Sequence, residues 1–245
     1  MGKLILNIIA FLIMVTVNAL ANILPLNGQT TGEISNRLDV LFTPAGYVFS
    51  IWGFIYLLLA IWILRQFPKD RRNSPVYQKT SGLFVLSSLL NSLWIFMWHY
   101  EYFFASVLVM LALLVTLIRL YVTLQEVGAS FLDRLPFSVY LGWISVATIA
   151  NISYYLTYIE WDGWGISDVA WTVIMLVVAT ALAIFFMVKE NDWVYPLVFV
   201  WAFIGIGVNQ QGKEPTVVYA SFALAAVILV AVIFYAFSKA GKGSR

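Results

Sequence analysis

The sequence predicts an all-α integral membrane protein of eight transmembrane helices, and three observations carry that prediction. Of 245 residues, 62% are hydrophobic and only 11% charged, whereas a water-soluble surface needs roughly 25% charge; the mean hydropathy of +0.90 agrees. The apolar residues gather into runs near the roughly 20 residues that carry a helix across about 30 Å of hydrocarbon. Finally, Lys and Arg fall almost entirely between alternate pairs of runs.

The first run is Leu4 to Ile23. Lys3 ahead of it and Ala19-Leu20-Ala21 near its end also suit a secretory signal peptide, but Asn7 and Asn18 are polar for such a core, and the run is expected to remain as a span. Gly46 to Ile63, Gly82 to His99, Phe103 to Leu124 and Phe137 to Tyr158 follow, then Val169 to Val188, Trp193 to Val208 and Val217 to Phe237. No Ser/Pro-rich linker separates them, so a soluble domain has no room. The seventh run is the weakest span, because Pro196, Gly205 and Gly207 break a stretch barely long enough to cross.

Basic residues stay on the cytoplasmic side of a membrane. Eight spans with the N-terminus inside put Lys3, Arg65, Lys69, Arg71, Arg72, Lys79, Arg119, Arg134, Lys189, Lys239, Lys242 and Arg245 on the inner face. Only Arg37 and Lys213 are left outside, together with Glu33, Asp39, Glu101, Glu160, Asp162, Asp168 and Glu214. The expected location is therefore the cell (inner) membrane, with both termini cytoplasmic.

Several chemistries drop out. With no cysteine, disulfides and thiolate metal sites are excluded, and no metal site is expected. A net charge of +2 is no nucleic-acid signature. Asp, Glu and Lys are missing from the span centres, where charge usually marks function, so neither a Schiff-base lysine nor a carboxylate proton relay is available. His99, the single histidine, lies at the outer end of the third run and reads as structural rather than as a haem ligand. A P-loop and a Gly-x-Ser-x-Gly elbow are both absent.

Amides and aromatic rings remain. Asn7, Asn18, Asn22, Asn91 and Asn151 each need a partner that lipid cannot supply; for Asn7, Asn18 and Asn22 the preferred reading is helix–helix glue. At about 100° per residue, Tyr140, Trp143, Ala147, Asn151 and Tyr154 share an arc of roughly 80°. On the third run Phe84, Asn91 and Trp98 recur every seven residues, with Trp94 one turn beyond Asn91, and the second run carries Phe49, Trp52 and Tyr56. Converging, these stripes would enclose a flat aromatic slot with two amides on its wall and Ala147 leaving room for a planar ligand. The same stripes also describe a core of packed aromatic pairs, and pattern alone slightly favours that.

Phe42-Thr43-Pro44-Ala45-Gly46-Tyr47-Val48-Phe49, followed by Trp52 and Tyr56, resembles the Pro-Pro-Gly-Trp-Val-Phe and Trp-x-x-x-Tyr segments that open the second helix of the TspO/MBR family, the tryptophan-rich sensory or translocator proteins. Asn91-Ser92-Leu93-Trp94 is similar to that family's third-helix Asn-x-x-Trp, and Tyr140-Leu141-Gly142-Trp143 through Ala147-Thr148 to Asn151 is similar to its fifth-helix Tyr-Leu-Ala-Trp-x-x-Phe-Ala-Thr-x-Leu-Asn. The resemblance implies a five-helix bundle over residues 1–160, with three additional spans over 161–245 packed on it. It further implies a pocket for a porphyrin, haem-related tetrapyrrole or sterol-like molecule, covered by a lid over Leu24 to Thr43. Trp52 and Trp143 would be the tryptophans of porphyrin binding and light-dependent degradation, Asn91 a ligand-facing amide and Ala147 the small pocket residue. The family's Gly-Pro-x-Trp is shortened here to Ser50-Ile51-Trp52, and Phe96 replaces a third-helix proline.

The expected function is binding of a planar hydrophobic ligand by Phe49, Trp52, Tyr56, Asn91, Trp94, Trp98, Tyr140, Trp143, Ala147 and Asn151, for sensing or delivery. Bound porphyrin or haem is the one candidate cofactor, and none is required. Membrane lipid, the hydrophobic ligand and a second copy of the chain are the expected partners. Alternatives are light-driven porphyrin oxidation, with no general acid or base in the slot, and a facilitator or transporter subunit using the last three spans.

Overall fold

The computed structural model describes residues 1–243, with side chains through Lys239; the side chain of Lys242 and all of Arg245, two of the expected inner-face charges, lie outside the described residues. Helices are α1 (Gly2–Ile23), α2 (Thr31–Arg37), α3 (Ile51–Leu64), α4 (Lys69–Arg72), α5 (Pro75–His99), α6 (Phe103–Glu126), α7 (Phe131–Tyr158), α8 (Asp168–Glu190), α9 (Val194–Gln210) and α10 (Pro215–Gly243). Among the described residues, seven segments are long and apolar enough to cross a membrane: α1, α3 with the 3-10 turn before it, α5, α6, α7, α8 and α10. This is a multi-pass membrane protein. The expected eighth span is not among the seven, because α9 is a 17-residue apolar helix.

Local chemistry explains the boundaries. Pro25 lies two residues past α1 and cannot continue it. A capping box starts α2: Thr30 Oγ1 accepts from Glu33 N at 3.2 Å, and Glu33 Oε2 accepts from Thr30 N at 2.6 Å. Ser74 and Pro75 open α5 two turns ahead of the apolar run, proline occupying the first turn, where no N–H is needed. At the other end of α8, Asn191 adopts the left-handed C-cap (φ 54°). Asp192 Oδ1 then accepts from Val194 N and Tyr195 N at 2.8 and 3.2 Å to start α9.

The chain forms two compact units. The first comprises Met1–Leu38 and Ser50–Tyr155, hence α1 to α6 and most of α7. Within it α5 packs along both α1 and α6. Large rings on α7 reach toward α3, α5 and α6, so α7 joins its neighbours through side chains rather than by close backbone approach. The second unit comprises Asp39–Phe49 and the chain from Leu156 onward, in which α8, α9 and α10 pack together pairwise.

The glue amides divide. Asn7 Nδ2 donates to Gln66 Oε1 at 3.0 Å and its Oδ1 accepts from Ser81 Oγ at 2.8 Å, tying the α1, α3 and α5 ends of the first unit. Asn18 Nδ2 donates to Asn91 Oδ1 at 2.7 Å. Asn22 instead donates to Asn18 O, four residues back on its own helix.

Candidate functional site

In the first unit the sequence-predicted site residues form two linked clusters. On α3 the Trp52 and Tyr56 rings stack at 5.7 Å between centroids, one helical turn apart. Trp52 also stands edge-on to Tyr140 at 5.9 Å and to Trp143 at 6.3 Å, both on α7. Such pairs are each worth about 0.5–1.5 kcal/mol beyond the area they bury. Asn91 of α5 lies behind this wall, donating through Nδ2 to the Tyr140 hydroxyl at 3.0 Å while accepting from Asn18 of α1. Asn18, Asn91 and Tyr140 thus form a buried chain of hydrogen bonds.

The second cluster lies further along α5. Trp94 and Trp98 stack at 5.4 Å, and Trp98 meets Phe103 and Tyr154 at 5.3 and 4.7 Å. Trp94 Nε1 donates to Asn151 Oδ1 at 2.9 Å, and Asn151 Nδ2 donates to Ser106 Oγ at 3.0 Å, which joins α5, α7 and α6.

Asn91 and Asn151 both direct polar atoms at neighbouring helices and are buried, as are Tyr140 and Trp143, so only Trp52 and Tyr56 of this wall are half-buried. Ala147 is half-buried on α7. Phe49 lies in the 3-10 turn Gly46–Ser50 and belongs to the second unit. Phe84, on the same sequence stripe as Asn91, joins another group instead, packing on Trp62 at 5.0 Å and Phe137 at 6.3 Å.

The sequence reading missed the partners Met14, whose sulfur accepts from the Tyr140 hydroxyl at 4.0 Å, Trp62, Phe103 and Ser106, and above all Asp133. The Asp133 carboxylate, 4% exposed, pairs with Arg65 Nε at 3.0 Å and Arg71 Nη2 at 3.2 Å. It also accepts from Tyr77 OH at 2.7 Å and Ser130 Oγ at 2.6 Å. An acid beside Arg134 at the start of a run is the one signal that could have marked it.

The first half of the α1–α3 connection, within the first unit, is held to the end of α5 and the turn after it by polar contacts. Thr31 Oγ1 lies 2.9 Å from His99 Nε2, while His99 Nδ1 lies 3.1 Å from Leu26 O. With both ring nitrogens engaged and the residue fully buried, His99 offers no axial imidazole to a haem iron. Arg37 Nη1 pairs with Glu101 Oε1 at 2.6 Å, and that hydrogen bond holds the Glu101 carboxyl below its usual value.

The profile of the TSPO-like protein family matches residues 4–234. The chain belongs to that family. The match runs through α8 and α9 into α10, so the TSPO-like family profile spans both units. No curated protein and no solved structure matches the chain.

Proposed function

We propose that this TSPO-like protein binds a planar, largely apolar molecule, a porphyrin or other tetrapyrrole or a sterol-like ligand, on the wall made by Trp52, Tyr56, Tyr140 and Trp143, for sensing or delivery. The observation that carries the reading is Tyr56: its hydroxyl is buried without a hydrogen-bond partner among the described residues, on a ring stacked with half-buried Trp52. A buried hydroxyl left unpaired costs about 1–3 kcal/mol, and an acceptor on a flat ligand lying along the Trp52 and Tyr56 faces would recover that cost. The wall holds no Asp, Glu, Lys or Arg, so affinity comes from stacking and one or two hydrogen bonds. Stacking also has to hold a porphyrin in the absence of an imidazole ligand from His99. In the same reading α9 completes the eighth crossing, and both termini face the cytoplasm.

Titration with protoporphyrin IX while following tryptophan fluorescence tests this. Micromolar quenching is expected, weakened about tenfold by Trp52→Ala or Trp143→Ala, as loss of a central ring contact requires. Quenching of equal strength in both variants would show that the porphyrin merely partitions into detergent or stacks elsewhere.

A further inference from the structure

Within the second unit, Asp39–Phe49 has no regular helix before the turn at Gly46–Ser50. Irregular backbone lined by apolar side chains has to find its hydrogen bonds inside the protein. It finds them on α9. Ala45 N donates to Gly205 O at 3.0 Å. Three α9 side chains donate to carbonyls of the segment: Trp201 Nε1 to Val48 O at 3.1 Å, Asn209 Nδ2 to Thr43 O at 2.9 Å and Gln210 Nε2 to Leu41 O at 3.2 Å. Residues 201, 205 and 209 are successive turns of one helix face, and the partners run antiparallel to them from Val48 to Leu41. The Tyr47 ring stands edge-on to Trp201 at 5.4 Å.

Shape complements the hydrogen bonds. A Cβ at Gly205 would lie 2.1 Å from Val48 Cγ2 and 3.2 Å from Pro44 Cβ, and Val48 is fully buried. Glycine is therefore needed at 205 for close approach rather than for its backbone freedom. It destabilises an apolar helix that would otherwise take alanine, and its compensation is the seat it makes for the segment.

We infer that α9 is the docking rail for residues 41–49, and that Trp201, Gly205, Asn209 and Gln210 are positioning residues that keep the second half of the α1–α3 connection fixed. The last three helices thereby acquire a role: they carry the rail. The connection can then open only upstream of Asp39. The consequence for ligand entry rests on the binding reading above; the anchoring itself does not.

The chain has no cysteine, so one introduced thiol reports cleanly. Thr43→Cys puts a thiol at a buried position of the 41–49 segment, and Ser221→Cys, in a separate chain, puts one at a fully buried position on α10. Each is followed in the full-length protein by its rate of maleimide labelling. Gly205→Ala is expected to speed labelling of the Thr43 reporter by about tenfold, the scale of an overpacked contact, and to leave the Ser221 reporter protected. Adding Val48→Ala removes the methyl that the new Cβ strikes and is expected to restore protection. An unchanged rate in Gly205→Ala, equal acceleration of both reporters, or no rescue by Val48→Ala would each overturn the rail. Protoporphyrin quenching separates the two claims: indifference to Trp52→Ala and Trp143→Ala removes the ligand reading, whereas the labelling pattern alone decides the anchoring.

Discussion

Tyr56 and Asp133 are buried polar groups with opposite economies. Tyr56 spends burial on a hydroxyl that nothing in the described structure satisfies. Tyr56→Phe keeps the ring and its stack on Trp52 while deleting the orphan, so thermal stability in detergent is expected to stay level or rise slightly, because removing an unpaired buried group is close to neutral. Affinity for an acceptor-bearing planar ligand is expected to fall by roughly three- to tenfold over the same change. Loss of stability together with unchanged affinity would place the hydroxyl's role in the fold instead. Asp133 shows the converse, a charge whose burial is compensated by two arginines, a tyrosine and a serine. Asp133→Ala leaves Arg65 and Tyr77 without their acceptor, a loss of about 3 kcal/mol, toward the lower end for a broken buried pair, since Arg71 is 41% exposed and can turn to water. Denaturation midpoints in detergent check the size, and a loss under about 1 kcal/mol would show that the pair acts as an exposed one.

At the scale of elements, α2 carries the clearest electrostatic dependence. Arg37 lowers the folded-state value of Glu101 below its ordinary 4.5. A carboxyl whose value is depressed by folding stabilises the fold at pH above its unfolded value, and that contribution is lost as pH falls through the lower, folded one. Proteolytic protection of residues 24–38 is therefore expected to hold from pH 7 to about 5 and to weaken progressively below the ordinary carboxyl value. In Glu101→Gln the weakening should be much reduced; an identical acid profile in both proteins would remove the ion pair as its cause. Helix α2 is not visible in hydropathy, although Thr30 and Glu33 stand at capping-box spacing and could have revealed it. The long spans were legible because a membrane sorts residues by a single property: α6 begins at Phe103 and α7 ends at Tyr158, where the apolar runs do. Helix α5 begins at Pro75, before its run, because a proline in the first helical turn requires no hydrophobicity. On the wall, heptad spacing located Asn91, Trp94 and Trp98 on α5, but it could not separate them from Phe84, since spacing places a residue on a face and only the neighbours at that depth decide what it meets. The seat of Val48 on Gly205 spans 157 positions of sequence and leaves no periodic trace.

For the whole molecule, the count of crossings turns on α9. Its 17 residues span about 26 Å at 1.5 Å per residue, short of the roughly 30 Å of a typical hydrocarbon core. A shortfall of that size costs only fractions of a kcal/mol per Å, met by local thinning of the bilayer or by snorkelling side chains. The basic residues weigh more heavily. With α9 crossing, Lys189 and the basic C-terminal tail share the side of Lys3 and the Arg65 to Lys79 cluster; with α9 not crossing, Lys239, Lys242 and Arg245 move to the opposite side. A crossing α9 therefore predicts that both ends of the chain face the same compartment. Single cysteines placed at Gly2 and, in a separate chain, at Ser238 read this directly in sealed cells through blocking by a membrane-impermeant maleimide. Both sites should remain unblocked from outside and become reactive once the membrane is opened. Blocking of the Ser238 site in intact cells while the Gly2 site stays protected would mean seven crossings, with α9 not completing a crossing.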